Sequence, residues 1–332
     1  MCSTLVQLLH MNARKNDNMC RSPFASKGDR APLNAGMAMA PHSTSLQNPK
    51  RRADDRDALT TRFQLLQVKK PKRIASIPKV RNLSMGVSSV APPSKGVLAK
   101  LGCPSFIVGV DIETADWVDR KRSATRKGQF GFYHFCHDDD FNQRIVQIGW
   151  AAGEARDGAP LQTYKETLVR PEGFVISEKA TAKHSICQER AIAEGTPLRE
   201  ALECFMEDMK QIDRDGGRII IHHLEFDAGI IARELLNAGL QSRMQEWMSI
   251  ARKGICTMDP DIGCWVQKCM GRDVQTDEKS APMLSLKDAV NMLLPRTELV
   301  EALQSHCHTA GADAQLHRLL YIAFRKLCEQ AA

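Results

Sequence analysis

The sequence predicts a mixed α/β domain preceded by a long, basic, irregular segment. Three observations point there. Apolar runs of strand length alternate with stripes of helical period in the order strand–strand–strand–helix–strand–helix after residue 105. Residues 1–104 lack sustained periodicity and are rich in Ser, Pro, Asn, Lys and Arg. The charge is divided between the two parts. Residues 1–104 hold 18 Lys+Arg and 5 Asp+Glu, and the remainder of the chain's 46 and 39 is 28 and 34. The basic balance therefore belongs to the tail, and 105–330 is the expected folded domain.

The tail carries two basic clusters, Lys50-Arg51-Arg52 and Lys69-Lys70-Pro71-Lys72-Arg73. Such runs serve as nuclear import signals or non-specific nucleic-acid contacts, and also occur as solvated linkers. Arg14, Lys15, Arg21 and Lys27 with few acids suit a mitochondrial or plastid transit segment, ranked second to the nuclear reading. Eleven cysteines, an odd number without framework spacing, indicate reduced thiols in an intracellular compartment. Cys256, Cys264 and Cys269, and His306-Cys307-His308, lack the paired spacing of a structural zinc site. No apolar run is long enough to span a membrane.

Phe106 to Thr114 (FIVGVDIET) reads as a buried strand that ends in two carboxylates. Asp111 and Glu113 are two apart, so on a strand they leave one face together. Two such charges repel unless a cation lies between them, and hard oxygen donors suit Mg²⁺ or Mn²⁺. The pair alone also fits a strand ending in a solvated acidic turn.

Residues 115–141 are an insertion holding Trp117, Phe130, Phe132, Tyr133, Phe135 and Phe141, a third of the chain's 18 aromatics, beside Arg120, Lys121, Arg122, Arg126 and Lys127. Aromatic faces among cations make a platform for unpaired bases; a hairpin packed on the domain has the same composition. His134, His137 and Asp138-Asp139-Asp140 read as a solvated loop.

Arg144–Ala152 and Leu161–Val169 are two further strands, forming a meander with the first. Phe174–Ile192 is mixed. Pro197 opens a helix with Leu198, Leu202, Phe205, Met206 and Met209 on one stripe, stopped by Asp215-Gly216-Gly217. Arg218–Ile221 is a short buried strand, and a helix begins near Asp227 after His222-His223-Leu224-Glu225-Phe226. An aspartate in a first helical turn also fits plain dipole stabilisation. Gly254–Asp259 resembles another strand end, and Leu284–Leu294 a helix. Finally His308 stands five residues before Asp313, which opens a helix with Leu316, Leu319, Leu320, Phe324 and Leu327 on one face.

Taken in order, Asp111-Ile112-Glu113-Thr114, Phe226-Asp227 and His308-x-Ala310-x-x-Asp313-Ala314 resemble the three motifs of the DEDDh family of 3′–5′ exonucleases, the group that includes proofreading exonuclease subunits. The resemblance covers about residues 105–328. It implies a ribonuclease H-like fold, a mixed central β-sheet flanked by α-helices. It implies that Asp111, Glu113, Asp227 and Asp313 hold two divalent ions, Mg²⁺ or Mn²⁺, and that His308 is the general base. Thr114 would meet the 3′-terminal nucleotide, with His223 and Phe226 also on the substrate side. Many relatives have Asn where this chain has His223, which can likewise donate and accept.

The expected activity is metal-dependent phosphodiester hydrolysis from the 3′ end of single-stranded RNA or DNA. A nucleic-acid-binding module that does not cut, and a phosphodiesterase for very short oligonucleotides, are the alternatives. A homodimer is allowed, since some members of the family are dimers.

Overall fold

The computed structural model describes residues 92–116, 143–271 and 283–331. Five strands form one sheet: β1 (Phe106–Thr114), β2 (Ile145–Glu154), β3 (Thr163–Leu168), β4 (Arg218–Ile221) and β5 (Ile255–Cys256). Their order is β3-β2-β1-β4-β5. β1 pairs antiparallel with β2, which pairs antiparallel with β3; β4 runs parallel to both β1 and β5. This is the mixed central sheet flanked by helices that the sequence predicts. β1 is central because its residues are apolar on both faces, so both can be covered by helices.

The helices are α1 (Lys95–Leu101), α2 (Glu178–His184), α3 (Gln188–Glu194), α4 (Leu198–Arg214), α5 (Leu224–Asn237), α6 (Gln241–Ala251), α7 (Pro260–Cys269), α8 (Leu286–Leu293), α9 (Glu298–Ser305) and α10 (Ala310–Gln330). Strand alternation sorts β1 between two cores. Val108, Val110 and Ile112 pack with α4, α5 and α6, where Trp150, Phe205 and Trp247 meet edge to face. Ile107 packs on the other side with α1, α7 and α10. Asp111 and Glu113 share the parity of Ile107, so they point toward the α10 layer.

α10 crosses that face at unusually close range. A Cβ on Gly109 would overlap the Ala314 carbonyl, and one on Gly149 would overlap the backbone of Ala310. Bare backbone on β1 and on its neighbour β2 is what lets the helix lie directly against the sheet.

One expectation needs correction: residues 95–101, read as part of the irregular segment through 104, form α1, with Val97 and Leu101 buried. Seven residues capped by Ser94 are too short to give a periodic signal, yet packing on α10 stabilises them. The helix expected near Asp227 begins at Leu224, with Asp227 in its first turn. The mixed stretch Phe174–Ile192 contains α2 and α3, and α6, α7 and α9 complete the helical layers. The insertion's platform (117–141), its His/Asp loop and both basic clusters of the tail lie outside the described residues.

Candidate active site

Three elements deliver the carboxylates. β1 presents Asp111 and Glu113 at its C-terminal end, where its pairing with β2 shifts register between Glu113 and Thr114. β4 runs parallel to β1 with Gly109 opposite Ile220, so it ends beside Asp111 and turns into α5. The first turn of α5 is anchored by Phe226 and Asp227 N–H groups donating to the His223 carbonyl, and Asp227 is 6% exposed. The first turn of α10 then brings Asp313, also buried, over the same strand end.

His308 reaches the cluster from the loop before α10. Its backbone is left-handed, with φ 68°, and its N–H donates to Asp313 Oδ2 at 3.1 Å. Its Nδ1 lies 4.0 Å from the same oxygen. Donor atoms of Glu113, His308 and Asp313 all lie within 4.8 Å of one another. Among the described residues this is the one cluster of three or more such side chains. His308 therefore belongs with the carboxylates, not with His306 and Cys307 in a separate site.

The electrostatics record this crowding. Burial, then Asp227, Asp313 and Glu113, raise the Asp111 carboxyl well above the carboxylate range. Burial, then Asp313 and Asp227, do the same to Glu113, with Lys183 opposing them. Asp227 and Asp313 are raised as well, in each case chiefly by burial. Asp313 Oδ1 is buried and accepts no hydrogen bond from the protein. Four carboxylates that resist ionisation, one with an unsatisfied oxygen, fit hard divalent cations: positive charge would offset the repulsion and take up the orphaned lone pairs. His308 shifts the other way, since burial and then Lys183 lower its pKa.

The residues expected on the substrate side are placed nearby. The Thr114 hydroxyl donates to the Asp116 carbonyl at 3.0 Å, and its own carbonyl lies 3.2 Å from His184 Nε2. Ile186 N–H donates to His184 Nδ1 at 3.0 Å, so Nε2 carries the proton that reaches Thr114. His223 and Phe226 stack with ring centroids 5.4 Å apart and planes 10° apart. His223 is exposed, so the pair offers an aromatic face beside Asp227.

Two residues that sequence reasoning missed also belong to this neighbourhood. His317, one turn after Asp313, is 1% exposed. Its Nδ1–H donates to the Val110 carbonyl at 2.9 Å, and its Nε2 lies 3.7 Å from Asp111 Oδ1. Burial and then His222, on which it stacks, push its pKa down to about 3, so the ring is neutral. The i, i+4 spacing from Asp313 was the available signal. Glu166 on β3 raises both Glu113 and Asp313 electrostatically; its place in a period-2 strand facing α10 was the clue.

No protein-family model matches the chain, and no curated protein matches it in sequence. Solved structures of exonuclease I are similar to it in part, at low identity. E. coli exonuclease I in complex with a dA16 oligonucleotide is 12% identical, with a TM-score of 0.45, covering 68% of this chain and 42% of that one. Exonuclease I from Methylocaldum szegediense is 14% identical, with a TM-score of 0.44, covering 68% and 41%. The chain thus spans about two fifths of the length of the structures it matches.

Proposed function

We propose that this protein is a metal-dependent 3′–5′ exonuclease of the DEDDh type, acting on single-stranded nucleic acid. The observation that carries the reading is the convergence of Asp111, Glu113, Asp227 and Asp313 with His308 at one strand end.

In this reading the four carboxylates hold two divalent cations, Mg²⁺ or Mn²⁺. Bound there, the ions would supply Lewis-acid polarisation of the phosphodiester and neutralise developing charge. The chain's own residues do the rest. His308 is neutral at working pH because its pKa is lowered, and its side chain is 41% exposed, so a solvent molecule can reach it and give up a proton. The His308 N–H bond to Asp313 fixes the base relative to one carboxylate. The ring of Phe226, backed by His223, offers a face on which a terminal base can stack. The His184 bond holds the Thr114 end of β1 in place.

The basic clusters of the tail support a nuclear location, with an organelle second. The test is incubation of 5′-labelled single-stranded RNA and DNA with Mg²⁺ or Mn²⁺, beside EDTA and Asp227→Ala controls. A ladder shortening from the 3′ end in the metal reactions alone is expected. Tight binding without cleavage would replace the reading with a non-cutting nucleic-acid-binding module.

A further inference from the structure

The first turn of α10 carries Asp313 and is entered from His308, so its rotation and height fix both groups at once. A helix start leaves several N–H groups without partners, and the residue before it normally supplies a side-chain cap. Thr309 makes no such bond. The caps come from the sheet instead. Gln147 Oε1 on β2 accepts the Ala310 N–H at 2.9 Å, and Glu166 Oε2 on β3 accepts the Gly311 N–H at 3.0 Å.

Register explains the reach. Glu166 pairs with Gly149, and Gly149 pairs with Asp111, so the three form one row across the sheet on the face beneath α10. With no side chain on Gly149, the Glu166 carboxylate and the helix start can meet. The fit is tight: a Cβ on Gly311 would lie 2.6 Å from Glu166 Oε2 and 2.5 Å from the Tyr164 hydroxyl. Glu166 holds this position despite burial, which raises its pKa; the Gly311 N–H, Arg190 and His306 offset that cost.

We propose that Glu166 is a positioning residue for the reaction: its carboxylate pins the first turn of α10 so that His308 and Asp313 stand over Glu113. The proposal rests on the nuclease reading, and it assigns Glu166 no contact with substrate. The essential feature is an oxygen acceptor at that point, not the negative charge.

The experiment uses the full chain as wild type, Glu166→Ala, Glu166→Gln and Gly311→Ala, with kcat and KM on a 5′-labelled single strand at saturating Mg²⁺. Glu166→Ala is expected to lower kcat about 10- to 100-fold with KM nearly unchanged, the scale of a small misplacement of reacting groups. Glu166→Gln keeps an oxygen acceptor and should recover most of that loss. Gly311→Ala displaces the carboxylate without removing any charge, so it should fall with Glu166→Ala.

Wild-type kcat in Glu166→Ala would overturn the proposal, and so would Glu166→Gln as slow as Glu166→Ala. If Glu166→Ala does not fold, Glu166→Gln against Gly311→Ala decides: equal rates overturn it. If wild type binds Mn²⁺, read by electron paramagnetic resonance, but does not cut, the nuclease reading fails. The positioning claim is then read from Mn²⁺ affinity, with Glu166→Ala and Gly311→Ala expected to be weaker than Glu166→Gln and equal affinities overturning it. Absence of Mn²⁺ binding in wild type would overturn both.

Discussion

Replacing Asp313 with Asn should make the metal-free protein more stable while abolishing its activity. Donor oxygens of Glu113 and Asp313 lie within 4.8 Å of each other. Two full charges at that separation repel by about 3 kcal/mol in an effective dielectric of roughly 20. Asparagine is nearly isosteric and its amide oxygen can still accept the His308 N–H, so little else is lost. For a domain of this size that relief corresponds to about 5–10 °C in Tm. The sign follows from linkage. The folded-state pKa of Asp313 is raised, so wild type binds more protons folded than unfolded and loses stability as pH climbs from the ordinary carboxylate range to the raised value. The advantage of Asp313→Asn should therefore be full at pH 8 and nearly absent at pH 4. Thermal unfolding by circular dichroism in EDTA, repeated across that range, reads it directly. Added Mn²⁺ should raise the wild-type Tm far more than that of the variant. An Asp313→Asn protein that unfolds at or below the wild-type temperature at pH 8 would refute the view that a buried, crowded carboxylate at this position costs the metal-free fold stability.

Other outcomes follow from the same geometry. Asp227→Ala should reduce metal-dependent cleavage by 10³-fold or more, roughly the loss expected when a metal-held transition state is disrupted, measured by gel assay. His308→Gln should lower kcat about 10²- to 10⁴-fold and erase the acidic limb of the pH–rate profile. In wild type that limb should fall below pH 6.5, because the His308 pKa is lowered. Gly109→Ala forces a methyl group into the Ala314 carbonyl and should cost about 1–3 kcal/mol or more in urea unfolding. Arg144→Met removes the ion pair of Glu234, whose side chain is 1% exposed and paired with Arg144 at 2.5 Å, and leaves it the Asn237 hydrogen bond and the Arg233 charge; up to about 3 kcal/mol should be lost by the same measurement.

The sheet was legible because β1, β2 and β4 are apolar runs with clear stops, and β3 lies between the end of β2 and Pro171. Each of the five expected strand positions is occupied by a strand in the structure. The ends of β1 and β4 were readable for the same reason, and with them Asp111, Glu113 and the approach to Asp227. Helices α6, α7 and α9 were not anticipated. Trp247 of α6 buries its ring in the core and donates to the Ala228 carbonyl at 2.8 Å, a tertiary bond that local pattern cannot announce. Glu166 was illegible for a related reason. Its meaning depends on Gly149 lying between it and Asp111, a row that exists only once register is set. His317 gains its meaning from the depth of its helix, which leaves it 1% exposed.

The short helix before β1 bears on how the protein can be handled. Tyr321 donates to the Leu101 carbonyl at 3.2 Å, and Arg325 to the Gly102 carbonyl at 2.8 Å. Lys100 bridges Asp259 and Asp261 at the start of α7. Composition alone would invite trimming the chain at 105, where the basic stretch gives way to the first strand. That cut would delete Val97 and Leu101 from the core and expose the apolar flank of the helix that carries Asp313. A shortened protein for crystallisation or assay should begin at or before Ser94, so that the cap of α1 is kept. Material cut at 105 is expected to aggregate, and its inactivity would reflect a missing wall of the core.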